Sequence, residues 1–102
     1  MLSTEISAIL PKIRDFLSTQ PVIRAWLFGS CSRGEESSES DLDLLISYDS
    51  NARVTLFTVG GIMMQLSEIS GRNVDLVDER GLLPFARKSV DHDKILIYER
   101  NA

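Results

Sequence analysis

Apolar residues near the N-terminus recur at helical spacing: Ile6, Ile9, Leu10, Ile13, Phe16 and Leu17. They predict an amphipathic helix over residues 3–19. Ser3 or Thr4 is placed to cap its first turn, and Glu5 suits the positive end of the helix dipole. Pro11 removes one backbone hydrogen bond and crowds the preceding turn. A kink is expected there, or two short helices meeting near Leu10. Residues 22–28, VIRAWLF, are apolar on both faces apart from Arg24 and predict a central strand covered on both sides. Residues 29–40 are polar and serine-rich and read as a loop with room for one helical turn.

Residues 41–48, DLDLLISY, predict a second strand, with Asp49-Ser50-Asn51 as a turn and helix cap. A helix follows over residues 52–69, with Val54, Phe57, Gly61, Met64, Leu66 and Ile69 among its apolar positions. Gly60-Gly61 weakens that helix by about 1 kcal/mol per glycine relative to alanine and suggests close approach of a neighbouring backbone. Gly71 is placed to end it. Residues 73–78, NVDLVD, alternate as a third strand, Pro84 suits the first turn of a short helix over 84–93, and ILIY at 95–98 forms a last strand. The order α-β-β-α-β-α-β predicts an α+β fold, a small mixed sheet with helices packed against it, in one domain over residues 1–102.

Composition narrows the function. The chain has 102 residues and a formal net charge of −4. That balance argues against direct nucleic-acid binding by phosphate neutralisation, leaving DNA contact only through a complex. Cys31 is the one cysteine and His92 the one histidine, which removes internal disulfides and His- or Cys-rich metal sites. The N-terminal residues lack a signal-peptide pattern, and no run approaches the roughly 20 apolar residues of a membrane span. A cytoplasmic protein without membrane contact is expected.

The chemistry concentrates between Gly29 and Asp43. A buried strand ends in Gly29-Ser30, and ten residues separate that pair from Asp41-Leu42-Asp43 at the start of the next strand. Alternate residues of a strand share a face, so Asp41 and Asp43 point the same way with Cα atoms about 7 Å apart. Their carboxylates can converge on ions spaced as in two-metal sites, about 3.5–4 Å. Oxygen ligands of this kind suit Mg²⁺. Asp75 interrupts an apolar run and is costly there unless it is paired or holds a metal. If its strand lies beside that of Asp41, three acids cluster and raise one another's pKa values, a cost that divalent cations relieve. Asp75 then ligates an ion or acts as general base. Gly29 permits a sharp turn, a helical turn after it would aim backbone N–H groups at an anion, and Ser30 can donate to a phosphate oxygen. Arg33 adds a cation nearby. A phosphate site beside a metal site is what nucleotidyl transfer from a triphosphate requires.

FGSCSRGEESSESDLDLLISY (residues 28–48) resembles the signature of the minimal nucleotidyltransferase (MNT) domains of the DNA polymerase β-like superfamily, Gly-Ser, ten residues, Asp-x-Asp. Ser32 stands where many members have Ala. GRNVDLV (71–77) is similar to the family strand that bears the third acid, here Asp75. The resemblance spans nearly the whole chain. It implies catalysis by Asp41, Asp43 and Asp75, which hold two Mg²⁺ ions (Mn²⁺ being an alternative), and nucleotide binding by Gly29, Ser30 and Arg33. It implies ATP as donor and a HEPN-domain RNase toxin as partner, with AMP transferred to a toxin tyrosine and the chain acting as antitoxin. The helical acceptor-binding domain of larger members is expected to be absent. Two other readings stand beside this one: a catalytically weak module that neutralises its partner by binding, and transfer to a small molecule. Cys31 reads as incidental, although a helix N-terminus beside it could lower its pKa. His92 reads as a helix C-terminal residue, Trp26, Phe57, Met63 and Met64 as core, and Glu35, Glu36 and Glu39 as solvated loop charge.

Overall fold

Four strands form one mixed sheet in the order β3-β2-β1-β4 in the computed structural model, which describes residues 2–101. The elements run α1 (Thr4–Leu17), β1 (Val22–Phe28), α2 (Ser30–Arg33), β2 (Leu42–Tyr48), α3 (Leu56–Ser70), β3 (Val74–Asp78), α4 (Pro84–Asp93) and β4 (Ile95–Glu99), with a short 3₁₀ turn at Glu79–Gly81. β1 pairs antiparallel with β2 and β4, while β2 and β3 are parallel. The α+β fold is as expected, and the expected order α-β-β-α-β-α-β is observed with the one-turn α2 and the 3₁₀ turn added.

The core lies on one face of the sheet. Ile6, Leu10, Ile13 and Leu17 of α1 and Ile62 and Leu66 of α3 pack on Ala25, Leu27, Leu42, Leu44, Ile46 and Ile97 of the strands. The stripe on α1 explains why that helix continues through Pro11 as one element and not as two short helices meeting near Leu10. Pro11 is exposed, and buried side chains on both sides of it hold the two halves to one surface. That packing offsets a cost of about 3 kcal/mol for an internal proline. Ser3 caps α1 as expected, accepting from Ile6 N at 3.1 Å.

α3 starts later than its apolar pattern suggests. Thr55 and Thr58 form a reciprocal capping box, while Asp49 is used in a local turn, accepting from Asn51 N at 2.9 Å. Only Ile62 and Leu66 of α3 are buried. Phe57 is 93% exposed and Met64 64%, so neither is core, and Met63 is half-buried. The helix is apolar nearly all round, so periodicity alone could not single out its inner face. A Cβ at Gly60 or Gly61 meets nothing within 4 Å. The glycine pair therefore mediates no close approach among the described residues. Gly61→Ala is expected to stabilise the fold by about 0.5–1 kcal/mol, read as a rise in the urea midpoint at unchanged m-value.

The second face of the sheet is less covered, which corrects the expectation for β1. Trp26 and Phe28 are half-buried, and Lys94 Nζ sits 5.1 Å from the Trp26 ring centroid. Register places Leu96, Trp26, Leu45 and Val77 in one row across this face, and Phe28, Asp43 and Asp75 in the next. Among the described residues no helix is long and apolar enough to cross a membrane.

Candidate active site

The site is built where β1 ends and β2 begins. β1 leaves the sheet at Gly29, whose φ of 72° and ψ of −157° belong to backbone space that side chains rarely tolerate. The chain then makes the single turn of α2, which Gly34 closes at φ 71°. Ser32 closes the turn from inside, its hydroxyl donating to the Gly29 carbonyl at 2.7 Å. The space above Gly29 is filled by β2: a Cβ on residue 29 would stand 2.5 Å from Asp43 Oδ2. The Gly-Ser turn and the Asp-x-Asp strand are thus in direct contact.

Asp43 pairs in register with Phe28 on one side and Asp75 on the other. Since Leu42, Leu44 and Val74 are buried in the core, alternation puts Asp43 and Asp75 on the opposite face of the sheet. Adjacent strands lie about 4.8 Å apart, so the two carboxylates stand side by side. Asp41 lies one residue before β2, exposed, in the connecting loop. Half-burial raises the Asp43 carboxyl above its usual pKa, and the negative charges of Asp75 and then Asp41 raise it further. Both other predicted acids therefore act on Asp43.

Arg33 is differently placed. Its guanidinium is taken up by Glu35 Oε1 at 2.7 Å and by Asp93 Oδ2 of α4 at 2.6 Å. These ion pairs tie the loop to α4. Ser30 opens α2 and is half-buried. His92 is in the last turn of α4, as expected, with Nδ1 3.1 Å from Asp93 Oδ1.

Three features escaped the sequence reading. Cys31 is fully buried, and burial pushes its thiol pKa up rather than down. Its Sγ contacts the Asp41 carbonyl at 3.5 Å. Glu36 is half-buried, with Oε1 shielded and unpartnered among the described residues, so it is not simply solvated. Arg72, in the turn before β3, is buried with its guanidinium on the carbonyls of Ser37 and Ser40. No sequence signal marked it, because a charged residue after a helix-ending glycine ordinarily faces water.

The donor set fits a hard divalent cation. Three carboxylates gather charge at one end of the sheet, and Mg²⁺ commonly uses one or two carboxylates together with water and substrate phosphate. Among the described residues no group of three His, Cys, Asp or Glu side chains forms a ready-made ion cage. A cleft of about 320 Å³ on the far side of the loop, lined by residues 38–40, Ser67 and residues 71–73, does not include Gly29, Asp43 or Asp75.

The Gly-Ser turn thus packs against Asp43, and Asp43 stands in register with Asp75 on the mixed sheet. The chain belongs to the polymerase beta nucleotidyltransferase family, whose model matches residues 11–102. Two provisionally named protein adenylyltransferases of Methanocaldococcus jannaschii are each 31% identical to it over 96 residues, 92% of this chain and 96% of theirs. A solved structure described as a minimal nucleotidyltransferase superposes with a TM-score of 0.78 at 32% identity, over 93% of this chain and 95% of the other. An MNT antitoxin in complex with the tri-AMPylated HEPN toxin of Shewanella oneidensis shares the fold, with a TM-score of 0.68 at 19% identity over 92% of this chain and 72% of the other. The chain is a nucleotidyltransferase of the minimal type.

Proposed function

We propose that this chain transfers AMP from ATP to a protein hydroxyl, a tyrosine of a helical HEPN-type RNase partner, and so acts as an antitoxin in the cytoplasm. The observation that carries the reading is the contact of Asp43 with Gly29 together with its register against Asp75. It sets a carboxylate pair directly against the Gly-Ser turn. The names of the relatives support a protein acceptor, and the fold shared with antitoxin–toxin complexes supports the partner.

Asp41 and Asp43 would hold two Mg²⁺ ions, with Asp75 completing the set; Mn²⁺ has the same ligand preference. When bound, the cations neutralise charge on the phosphate oxygens and on the leaving group. The Gly29-Ser30 turn would bind the β- and γ-phosphates through its backbone N–H groups, and the Ser30 hydroxyl would donate to a phosphate oxygen. The acceptor oxygen forms a bond to the α-phosphorus, the bond to the bridging oxygen breaks, and pyrophosphate departs with that electron pair. Asp75 takes the acceptor proton. Arg33 would add a cation beside the turn, with Nε on Glu35 and Nη1 on Asp93.

The test uses ATP labelled at the α-phosphorus and, separately, at the γ-phosphorus, with purified HEPN partner. The α-label is expected on the partner and the γ-label in released pyrophosphate. Neutralisation of the partner without any α-label transfer, by protein that binds Mg²⁺–ATP, would replace this reading with stoichiometric binding.

A further inference from the structure

Asp41 differs from the other two acids in its support. Asp43 and Asp75 stand in strands, where the sheet ladder fixes their backbones. Asp41 lies at the end of the loop joining α2 to β2, outside the ladder. Contacts from three places nonetheless hold the peptide groups around it. The Ser40 carbonyl, just before Asp41, accepts from Arg72 Nη1 at 2.9 Å. The Asp41 carbonyl is met by Cys31 Sγ at 3.5 Å. The N–H of Leu42, just after it, donates to the Asn73 carbonyl at 2.8 Å.

Arg72 carries the largest share of this clamp. The same Nη1 donates to the Ser37 carbonyl at 2.6 Å, so one guanidinium nitrogen gathers both ends of the 37–40 turn. Nη2 reaches Glu5 Oε1 at 3.2 Å. The Arg72 carbonyl is in turn held by the Ser67 hydroxyl at 2.8 Å, which anchors residue 72 to the end of α3. Arg72 is also three residues before Asp75. One side chain therefore links the loop bearing Asp41 to the start of the strand bearing Asp75.

Such an arginine is a costly way to hold a fold together. Its side chain is 3% exposed, its one carboxylate partner, Glu5, is 67% exposed, and its Nε is buried with no partner among the described residues. Taking a charge out of water is expensive, and a single ion pair to an exposed carboxylate offsets that only in part. Its placement beside Asp41 answers what the cost secures.

We infer that Arg72 is a positioning residue for nucleotidyl transfer, fixing the loop at residues 37–41 so that Asp41 is held ready to join Asp43 and Asp75 around a divalent cation. The inference rests on the metal-dependent reading of the site. Groups that orient metal ligands without touching the metal typically change metal affinity by 10–100-fold when removed. A guanidinium can serve two carbonyls and a carboxylate from fixed, planar donors, whereas the single ammonium of lysine cannot reproduce that fork.

The test compares wild type with Arg72→Lys, Arg72→Met and Glu5→Gln. Far-UV circular dichroism first confirms that each is folded. Amide hydrogen exchange without metal reads residues 37–42, and binding of a fluorescent ATP analogue is titrated against Mg²⁺. The arginine variants are expected to exchange faster at residues 37–42 and to need roughly 10–100-fold more Mg²⁺ for half-maximal binding. Binding should recover at saturating Mg²⁺. Glu5→Gln, which leaves both carbonyl bonds, is expected to match wild type in Mg²⁺ requirement. Folded Arg72 variants with wild-type exchange and wild-type Mg²⁺ requirement would overturn the inference and leave the site reading intact. If Arg72→Met does not fold, Arg72→Lys decides by the same readouts. Wild type that binds the analogue equally with and without Mg²⁺ would overturn the metal reading and the inference with it.

Discussion

Replacing Asp43 with asparagine is expected to abolish metal-dependent ATP binding and nucleotidyl transfer while making the protein without metal more stable. The two effects share a cause. Asp43 is half-buried between like charges, and its carboxyl is held above the usual range first by burial and then by Asp75 and Asp41. Between its unfolded and folded pKa values the folded state binds the extra proton. Stability therefore falls as pH rises through that window, and the penalty remains in full at neutral pH. The Asp43→Asn substitution removes the charge at almost constant volume, and with it the penalty. The same charge is what a cation needs. Losing several kcal/mol of transition-state stabilisation, at about 1.4 kcal/mol per tenfold, lowers transfer by roughly 10³-fold or more. A higher melting temperature beside lost binding is the expected pair, and an unchanged or lower one would show that the cluster is not strained. For the same reason the Mg²⁺ requirement of the wild type should rise on acidification before an ordinary aspartate would titrate.

Gly29→Ala is expected to disable the site by a different route. At φ 72° and ψ −157° an alanine is strained by about 1–3 kcal/mol, and its Cβ would stand 2.5 Å from Asp43 Oδ2. The Asp43 carboxylate would have to swing away, or the turn would have to open. Displacements of about 1 Å in such a constellation cost on the order of 10²-fold in rate. The variant should combine a lower melting temperature with weakened Mg²⁺–ATP binding. Normal binding in Gly29→Ala would mean that Asp43 works from another orientation.

Much of this site could be read without coordinates, for physical reasons that also mark the limits. Gly29, Ser30 and Asp43 lie within one strand–turn–strand unit, so spacing relates them directly; Asp41 lies just outside the ladder, where the alternation expected to align it with Asp43 does not apply. Asp75 is exposed on the edge strand β3, so the expected cost of a carboxylate in an apolar strand does not arise; its register with Asp43 is what ties it to the site. The contact between Gly29 and Asp43 depends on the antiparallel register of β1 and β2, which no local pattern fixes. Arg72 depends on a loop folding back from 32 and 35 residues away in the chain. Arg33 has the right charge and place in sequence, but Asp93, sixty residues on, claims its guanidinium. In α3 the inner face is set by α1 and the sheet, and a helix apolar on every side does not announce it. Phe57 and Met64 consequently read as core and are exposed.

A calorimetric titration of ATP into the purified protein, with Mg²⁺ and then with the metal chelated, probes the acid cluster most directly. The Asp41→Asn, Asp43→Asn double variant is run alongside. Binding that requires Mg²⁺ in the wild type and is lost in the double variant is the predicted outcome. Equal ATP binding by the folded double variant, or binding indifferent to Mg²⁺, would contradict the assignment of these carboxylates as the metal-dependent nucleotide site.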